Sequence, residues 1–436
     1  LPGGKGWARH NSKADAEETD VSEALIIDAV RTPRGIGKPG KGALAGVHPQ
    51  HLAATVLKAL QERNGIDSAD IDDVIWGVSA QKGFQAGDLG RMAALDAGFD
   101  ERVGGVTLDR FCGSGLTATN LAAAQIRSGM EDLVIAGGTE MMSLITALGM
   151  KEMELGLRSF GLGSGNKRLQ QRHPQSHQGL CADAIASMEG FSREALDAFA
   201  LESQQRAGRA IENGWFARSI VPVHDEAGKL LLAKDEYPRP QTTAADLAGL
   251  KPSFTQVGEL SPDGGLSFRQ LINQRYPELK IEHFHHAGNS SGVVDGAAGL
   301  LLASASYARR RGLKARARVV ATANMGGDPT LMLNAPVPAA RKVLARAGLE
   351  LKDIDLFEVN EAFAVVVEKF IRDLGIDRGK VNVNGGAIAL GHPIGATGAI
   401  LIGTALDELE RRDARRALIT MCAAGGMAPA IIIERV

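Results

Sequence analysis

One pattern constrains this chain more than any other: short apolar runs closed by Gly-containing turns alternate with helix-spaced segments, and the alternation occurs twice. Ala24 to Val30 is an apolar run ended by Arg31-Thr32-Pro33-Arg34-Gly35, which reads as a buried strand followed by a turn. Pro49 to Arg63 sets Leu52, Val56, Leu57 and Leu60 at helical spacing. Asp73 to Gly77, Gly105 to Asp109 and Leu133 to Ala136 read as further strands, the last stopped by Gly137-Gly138, and Gly115 to Ile126 reads as an Ala-rich helix. The C-terminal part repeats the order, with helices at Pro338 to Ala347 and Gly395 to Glu410. Its strands are expected at Ile354 to Val359, Lys380 to Val383 and Ala417 to Met421, the last stopped by Gly425-Gly426. Asp70-Ile71-Asp72 and Asp353-Ile354-Asp355 each follow a helix and precede an apolar strand, which suggests duplication. Alternating strands and helices predict an α/β fold with a largely parallel sheet. Between the halves, Met142 to Ala287 is a long excursion holding a Gly/Arg/Gln/His-rich stretch, Gly161 to Gly179, and a helix from Glu194 to Asn213. Insertions of this length carry function or subunit contacts.

Bulk properties exclude several classes. A net charge of −2 with 4% aromatics supports neither nucleic-acid binding nor an anionic membrane surface. No apolar run reaches the length of a membrane span. Three cysteines among 436 residues do not form a disulfide framework, and a reducing compartment is the simpler reading. Leu1 to Val21 is polar, with an acidic stretch at Asp15 to Glu18. It reads as a disordered or appended extension over residues 1–22, not as a secretory signal or transit peptide. A bacterial cytoplasm is the expected setting.

Four segments suit chemistry. Cys112, in Phe111-Cys112-Gly113-Ser114-Gly115, lies where a strand gives way to a helix. A helix N-terminus there lowers a thiol's pKa and offers N–H groups to an oxyanion; a buried small residue fits the position as well. His392, pinned between Gly391 and Pro393, suits a base toward a thiol or a histidine satisfying a tight turn. Cys422, before Gly425-Gly426, suits an acid or base, or the core. Asn360, in Glu358-Val359-Asn360-Glu361-Ala362-Phe363, suits a pocket wall or a helix N-cap. His283, His285 and His286 lack metal-ligand spacing. The Arg309-Arg310-Arg311 run reads as a solvated helix end. No phosphate-binding or dinucleotide glycine loop is present.

Together, Cys112-Gly113-Ser114, Asn360-Glu361-Ala362-Phe363, Gly391-His392-Pro393 and Cys422 resemble the four catalytic loops of the thiolase family, written C-x-S, N-E-A-F, G-H-P and C-x-G. The resemblance runs from Glu23 onward and includes Val30 to Pro33, Ala287 to Gly292 and Asp295 to Ala298. It implies a duplicated βαβαβαββ core in five layers, α/β/α/β/α, with an inserted loop domain. The implied division is an N-terminal core at 23–141, a loop domain at 142–287 that binds coenzyme A and makes oligomer contacts, a return at 288–305, and a C-terminal core at 306–436. It also implies Cys112 as the acylated nucleophile, His392 as its base, Cys422 as the acid/base at the substrate's α-carbon, and Asn360 as holder of a water at the enolate oxygen. Backbone N–H groups of Cys112 and Ala424 would meet the thioester oxygen, and His177, Ala287, Ser291 and Phe363 would line the pantetheine tunnel. Coenzyme A would be a substrate, alongside acyl-CoA and acetyl-CoA, with no metal or permanently bound cofactor. A homodimer or homotetramer, and a β-oxidation complex partner, are the implied assemblies.

Three departures stand out: Ala424 replaces the glycine of C-x-G, Gln178 follows His177 where short-chain biosynthetic enzymes have methionine, and Gln256 to Glu282 reads as an insertion near the substrate entrance. The expected function is reversible thiolysis of 3-ketoacyl-CoA to acyl-CoA and acetyl-CoA, of the type used in fatty-acid β-oxidation. The alternatives are a short-chain acetyl-CoA acetyltransferase making acetoacetyl-CoA, a diverged decarboxylating condensing enzyme, and a non-catalytic CoA-binding subunit.

Overall fold

The computed structural model describes residues 23–155, 162, 164–262 and 264–436. The extension expected at 1–22, and Gly161 and Gly163 of the glycine-rich stretch, lie outside the described residues. The first half runs through β1 (Ala24–Arg31), the short β2 (Gly35–Ile36), the helix Pro49–Asn64, β3 (Asp73–Gly77), the helix Leu89–Asp96, β4 (Val106–Leu108), the helix Ser114–Ser128 and β5 (Leu133–Met141). The excursion holds the hairpin of β6 (Val223–His224) and β7 (Leu230–Leu232) and the helices Gln178–Glu189 and Arg193–Glu212, and β8 (Val294–Ser304) returns to the core. The second half runs through β9 (Ala317–Gly326), the helix Pro336–Ala347, β10 (Leu356–Val359), the helices Ala364–Leu374 and Thr397–Arg412, β11 (Arg416–Thr420) and β12 (Met427–Arg435).

The strands follow the order β10-β11-β12-β9-β1-β8-β5-β3-β4, with β2 on β8. This corrects the expectation of a largely parallel sheet. Among the strands of the described residues, β10–β11, β3–β4 and β3–β5 pair in parallel; the other neighbours, including β1–β8, β5–β8 and β9–β12, are antiparallel. The cause lies in the connections. In the second half β11 and β12 form a hairpin, whose turn uses Gly425 and Gly426 at φ 76° and 80°, a region that favours glycine; in the first half β8 returns antiparallel to β5 after the long excursion. A second correction concerns Gly137-Gly138, which does not stop a strand: β5 continues to Met141. A β-carbon at Gly138 would lie 2.0 Å from Gly395 O, so glycine here lets the loop that follows His392 press onto the strand.

The helices Ser114–Ser128 and Thr397–Arg412 pack against each other and against strands of both halves. The helices Pro49–Asn64 and Leu89–Asp96 cover the outer face of the first half's strands, and Pro336–Ala347 covers that of the second. This gives the five-layered α/β/α/β/α arrangement. Leu116, Ile126, Ile402 and Leu406 from the central helices meet Ile26, Leu300, Ile419 and Ile431 from both sets of strands in one buried cluster. Each such side chain contributes roughly 1.5–3 kcal/mol relative to exposure.

The duplication extends to side chains. Asp72 Oδ2 accepts from the backbone N–H groups of Asp132 and Leu133 at 2.8 Å each, at the start of β5. Asp355 Oδ2 accepts from Arg415 and Arg416 N at 2.9 Å each, at the start of β11. One element is lost from the second copy. Lys380 to Val383, expected as a strand, makes only a single parallel bridge, Val381 to Phe357. Asn382 sits at φ 46° and turns its amide to the sheet, with Oδ1 accepting from Val359 N and Nδ2 donating to Val359 O, each at 2.8 Å. The side chain thus replaces the ladder that a strand would form.

Candidate active site

Cys112 sits just before the helix Ser114–Ser128, in a turn held by its own side chains. Phe111 takes a left-handed φ of 50°, which costs a bulky residue about 1–3 kcal/mol. Asp109 Oδ1 accepts from Phe111 N at 2.6 Å, while Ser114 Oγ accepts from Arg110 N at 2.9 Å and donates to Phe111 O at 2.6 Å. The Ser of C-x-S is therefore the clasp of the nucleophile's turn. Cys112 is buried, with 5% of its surface exposed. Burial first, then the nearby charge of Glu140, pushes its thiol up to about 12, with a hydrogen bond from Gln178 opposing the shift. The helix N-terminus expected to lower this pKa is outweighed, so the resting site holds a thiol and not a thiolate.

Glu140 ties three segments of the site together. On β5 and fully buried, it accepts from Ser79 N (3.0 Å), Ala80 N (3.1 Å), Gln85 Nε2 (2.8 Å) and Gly395 N (2.9 Å). Its role was not read from the sequence, because its partners are 55 to 255 residues away.

His392 is buried. Its backbone N–H donates to Gly292 O at 2.8 Å, its Nδ1 lies 2.6 Å from Thr397 Oγ1, and its Nε2 lies 3.4 Å from Asn360 Nδ2. Burial, with the Arg34 guanidinium as second cause, lowers its pKa to about 3, so the imidazole is neutral and able to take a proton. Asn360 is fully buried and is not a helix cap: the helix Ala364–Leu374 is entered through Phe363. Its neighbour Glu361 accepts from Ser203 Oγ, Asn382 Nδ2 and Ile388 N at 2.7, 3.0 and 3.1 Å, which anchors the N-E-A-F loop to the excursion and to the loop before His392. Cys422 is 1% exposed, and its thiol is raised by burial and then by Cys112 beside it. Ala424 does not take a positive φ; Gly425 and Gly426 absorb that conformation, so a β-carbon fits where C-x-G has glycine.

The segment 287–292 bridges two of these loops. Ser291 N donates to Ala362 O at 3.0 Å, Ala364 N donates to Asn289 O at 3.0 Å, and Gly292 N donates to Ala387 O at 2.9 Å. Ser291 is half-buried and Ala287 is exposed. His177 caps the helix Gln178–Glu189, its Nδ1 accepting from Gly179 N at 3.2 Å. Its ring is 5.5 Å from Phe254 and 5.7 Å from Phe268, and Phe254 lies 5.9 Å from Phe363. An aromatic wall therefore runs from His177 to Phe363, and Phe268 brings the Gln256–Glu282 insertion onto it. Gln178, noted in the sequence only as a departure, opens the helix Gln178–Glu189 and lies near enough to Cys112 to favour its thiolate.

Other sequence candidates are absorbed by structure. His283 and His285 each place Nδ1 within 2.9 Å of Asp183, and His286 Nε2 lies 2.8 Å from Asp197. Arg310 and Arg311 end an exposed helix and pair with Asp132 and Asp70. A surface cavity of about 480 Å³ edged by His48, His51 and His224 includes none of the residues above. Among the described residues, no group of His, Cys, Asp or Glu is arranged to hold a metal ion, and no helix is long and apolar enough to cross a membrane.

The two buried thiols, the buried imidazole and the buried amide lie on the four loops that resemble the catalytic loops of the thiolase family. Family comparisons agree. The thiolase N-terminal domain matches residues 24–263 and the thiolase C-terminal domain matches residues 313–435. The chain belongs to the thiolase family. It is an acyltransferase that cleaves 3-ketoacyl-CoA thiolytically. Its relatives include the beta-ketoadipyl-CoA thiolase of Escherichia coli, 42% identical over 95% of this chain and 100% of that protein. The steroid 3-ketoacyl-CoA thiolase of Mycobacterium tuberculosis is 40% identical over 95% of each. Among solved structures, the Bacillus anthracis acetyl-CoA acetyltransferase superposes with a TM-score of 0.80 at 34% identity, covering 96% of this chain and 100% of that one.

Proposed function

We propose that the chain is a degradative-type thiolase in which Cys112 is the nucleophile, His392 its base, Cys422 the acid/base at the α-carbon and Asn360 the holder of a water at the enolate oxygen. The observation that carries this reading is the 3.4 Å approach of Asn360 Nδ2 to His392 Nε2, beside two buried thiols close enough to influence each other. In the degradative direction the Cys112 sulfur attacks the 3-keto carbon while His392 takes the thiol proton. The C2–C3 bond then breaks, and its electron pair forms the enolate of acetyl-CoA, which Cys422 protonates. Cys422 then takes the thiol proton of an incoming CoA, whose sulfur attacks the acyl-cysteine; acyl-CoA leaves, and the Cys112 thiolate takes back the proton held by His392. The Cys112 and Ala424 N–H groups act on the thioester oxygen. His177, Ala287, Ser291 and Phe363 line the pantetheine path, the excursion 142–287 contributes to coenzyme A binding, and no metal or prosthetic group takes part.

The acyl group we assign is longer than acetoacetyl. Gln178 near Cys112, together with relatives named for beta-ketoadipyl and steroid substrates, supports it. The acetyl-CoA acetyltransferase likeness favours the short-chain reading. A homodimer or homotetramer in a bacterial cytoplasm fits the exposed Val106 on the edge strand β4 and three unpaired cysteines. Thiolysis of 3-ketoacyl-CoA substrates of graded length, with 3-oxoadipyl-CoA among them, separates these readings. A preference for acetoacetyl-CoA overturns the longer-chain assignment. Cys112→Ala is expected to abolish the acyl adduct seen by intact-mass measurement; an adduct retained elsewhere overturns the nucleophile.

A further inference from the structure

We propose that Thr397 is a positioning residue that holds His392 as the Nδ1–H tautomer and leaves Nε2 free to take the proton of Cys112. The inference rests on His392 being the base for Cys112. Its geometry is local and closed. The Thr397 hydroxyl has one hydrogen and sits between two groups: Pro393 O at 3.0 Å and His392 Nδ1 at 2.6 Å. A carbonyl oxygen can only accept, so a hydroxyl that donates to Pro393 O has only lone pairs left for the ring. Nδ1 must then carry the hydrogen, and Nε2 is the bare nitrogen. Asn360 Nδ2, at 3.4 Å, is a donor and suits a bare Nε2.

Burial makes the choice consequential. Thr397 is 3% exposed, His392 6% and Asn360 0%, so bulk water does not replace a missing partner. The position is also pinned. Thr397 opens the helix Thr397–Arg412, and its N–H donates to the same Pro393 carbonyl at 3.0 Å. The ring's other anchor is the His392 N–H on Gly292 O.

One competing arrangement satisfies the same atoms. The Thr397 hydroxyl turns onto Nδ1, Nε2 gains the hydrogen, and the Asn360 amide turns over to present Oδ1, which has no partner as it stands. In that arrangement Nε2 cannot accept a proton, and the resting enzyme would have to exchange tautomers before each acylation. In serine proteases a wrongly held histidine tautomer costs about 10⁴-fold in kcat.

The test has a spectroscopic and a kinetic arm, both on the full chain. Nitrogen-15 labelling of the histidines, with the His392 resonances assigned by their loss in His392→Gln, reads the tautomer directly. The expected result is a protonated-type Nδ1 and a bare-type Nε2; the reverse pattern overturns the proposal. In the kinetic arm, Thr397→Val keeps the branched shape and removes the oxygen, while Thr397→Ser keeps the oxygen. Thr397→Val is expected to slow formation of the acyl-Cys112 adduct by about tenfold or more, with KM little changed, and Thr397→Ser to restore the rate to within about threefold. Unchanged acylation in Thr397→Val, with wild type forming its adduct on Cys112, overturns the role of Thr397 alone. Should Thr397→Val fail to fold, the wild-type spectrum and Thr397→Ser still decide. Absence of any Cys112 adduct in wild type would instead overturn the catalytic reading beneath it.

Discussion

Cys112 keeps its proton until substrate arrives. Burial and Glu140 push the thiol up to about 12 while burial lowers His392 to about 3, so a pre-formed thiolate–imidazolium pair is disfavoured on both sides. This sets the pH dependence of its reactivity without substrate. An acid whose pKa is raised ionises only as pH approaches that raised value. Alkylation of Cys112 by iodoacetamide is therefore expected to rise by about tenfold per pH unit from pH 6 to 9. A plateau beginning below pH 8 would show a low-pKa thiolate and contradict this account. At this scale the sequence was informative where chemistry is carried by motif residues: Cys112, Asn360, His392 and Cys422 were all named, all four are buried, and Asn360 approaches His392. It was silent on the residues that shape their surroundings. The buried Glu140 clamp and the nearness of Gln178 to Cys112 depend on neighbours dozens to hundreds of residues away, and no local pattern encodes those neighbours.

At the scale of elements, the approach of Gly138 to Gly395 brings the His392 loop onto β5. In Gly138→Ala the new β-carbon would meet Gly395 O at 2.0 Å and Gly77 O at 2.6 Å. Backbone on both sides cannot swing away as a side chain could, so a loss of about 2–3 kcal/mol or more is expected in urea unfolding, with reduced acylation. The paired aspartates allow a matched experiment. Asp72→Ala and Asp355→Ala each remove a carboxylate that accepts two strand-opening N–H groups, and each is expected to cost about 1–2 kcal/mol. A large effect in one copy and none in the other would show that the duplicated halves do not share this anchor. The aspartates were legible as a repeat because both precede a strand. The missing second-half strand was not: Lys380 to Val383 has strand composition, and only the structure shows the Asn382 side chain standing in for backbone. The continuation of β5 past Gly137-Gly138 was hidden for a related reason, since glycine marks either a turn or a close approach.

Across the whole molecule, one buried cation joins the halves. Arg316 precedes β9 and reaches Asp28 on β1 (3.3 Å), then Asp407 (2.5 Å) and Glu410 (2.8 Å) on the central helix Thr397–Arg412. Replacing it with Met leaves those carboxylates without their shared partner, and a loss of about 3–5 kcal/mol is expected. Thermal unfolding of Arg316→Met at pH 7 that matches wild type would show that this cation does not hold the halves together and that packing and the β1–β9 ladder suffice. The fold class, the duplication and the long excursion were readable from the rhythm of runs and turns. The mixed strand directions were not, because direction follows from which strands meet at a distance and not from any one strand's sequence.

The two ends of the strand order are unlike. At β4, Val106 is 44% exposed and β3 is the strand's only ladder partner among the described residues. At β10, the Asn382 amide and the Val381 bridge already occupy the outer positions of Phe357 and Val359. Hydrogen bonding to another copy is therefore open at one rim and shut at the other. An added strand would find a free edge on one side of the sheet and a finished border on the other, where a side chain has already written the last line of the ladder.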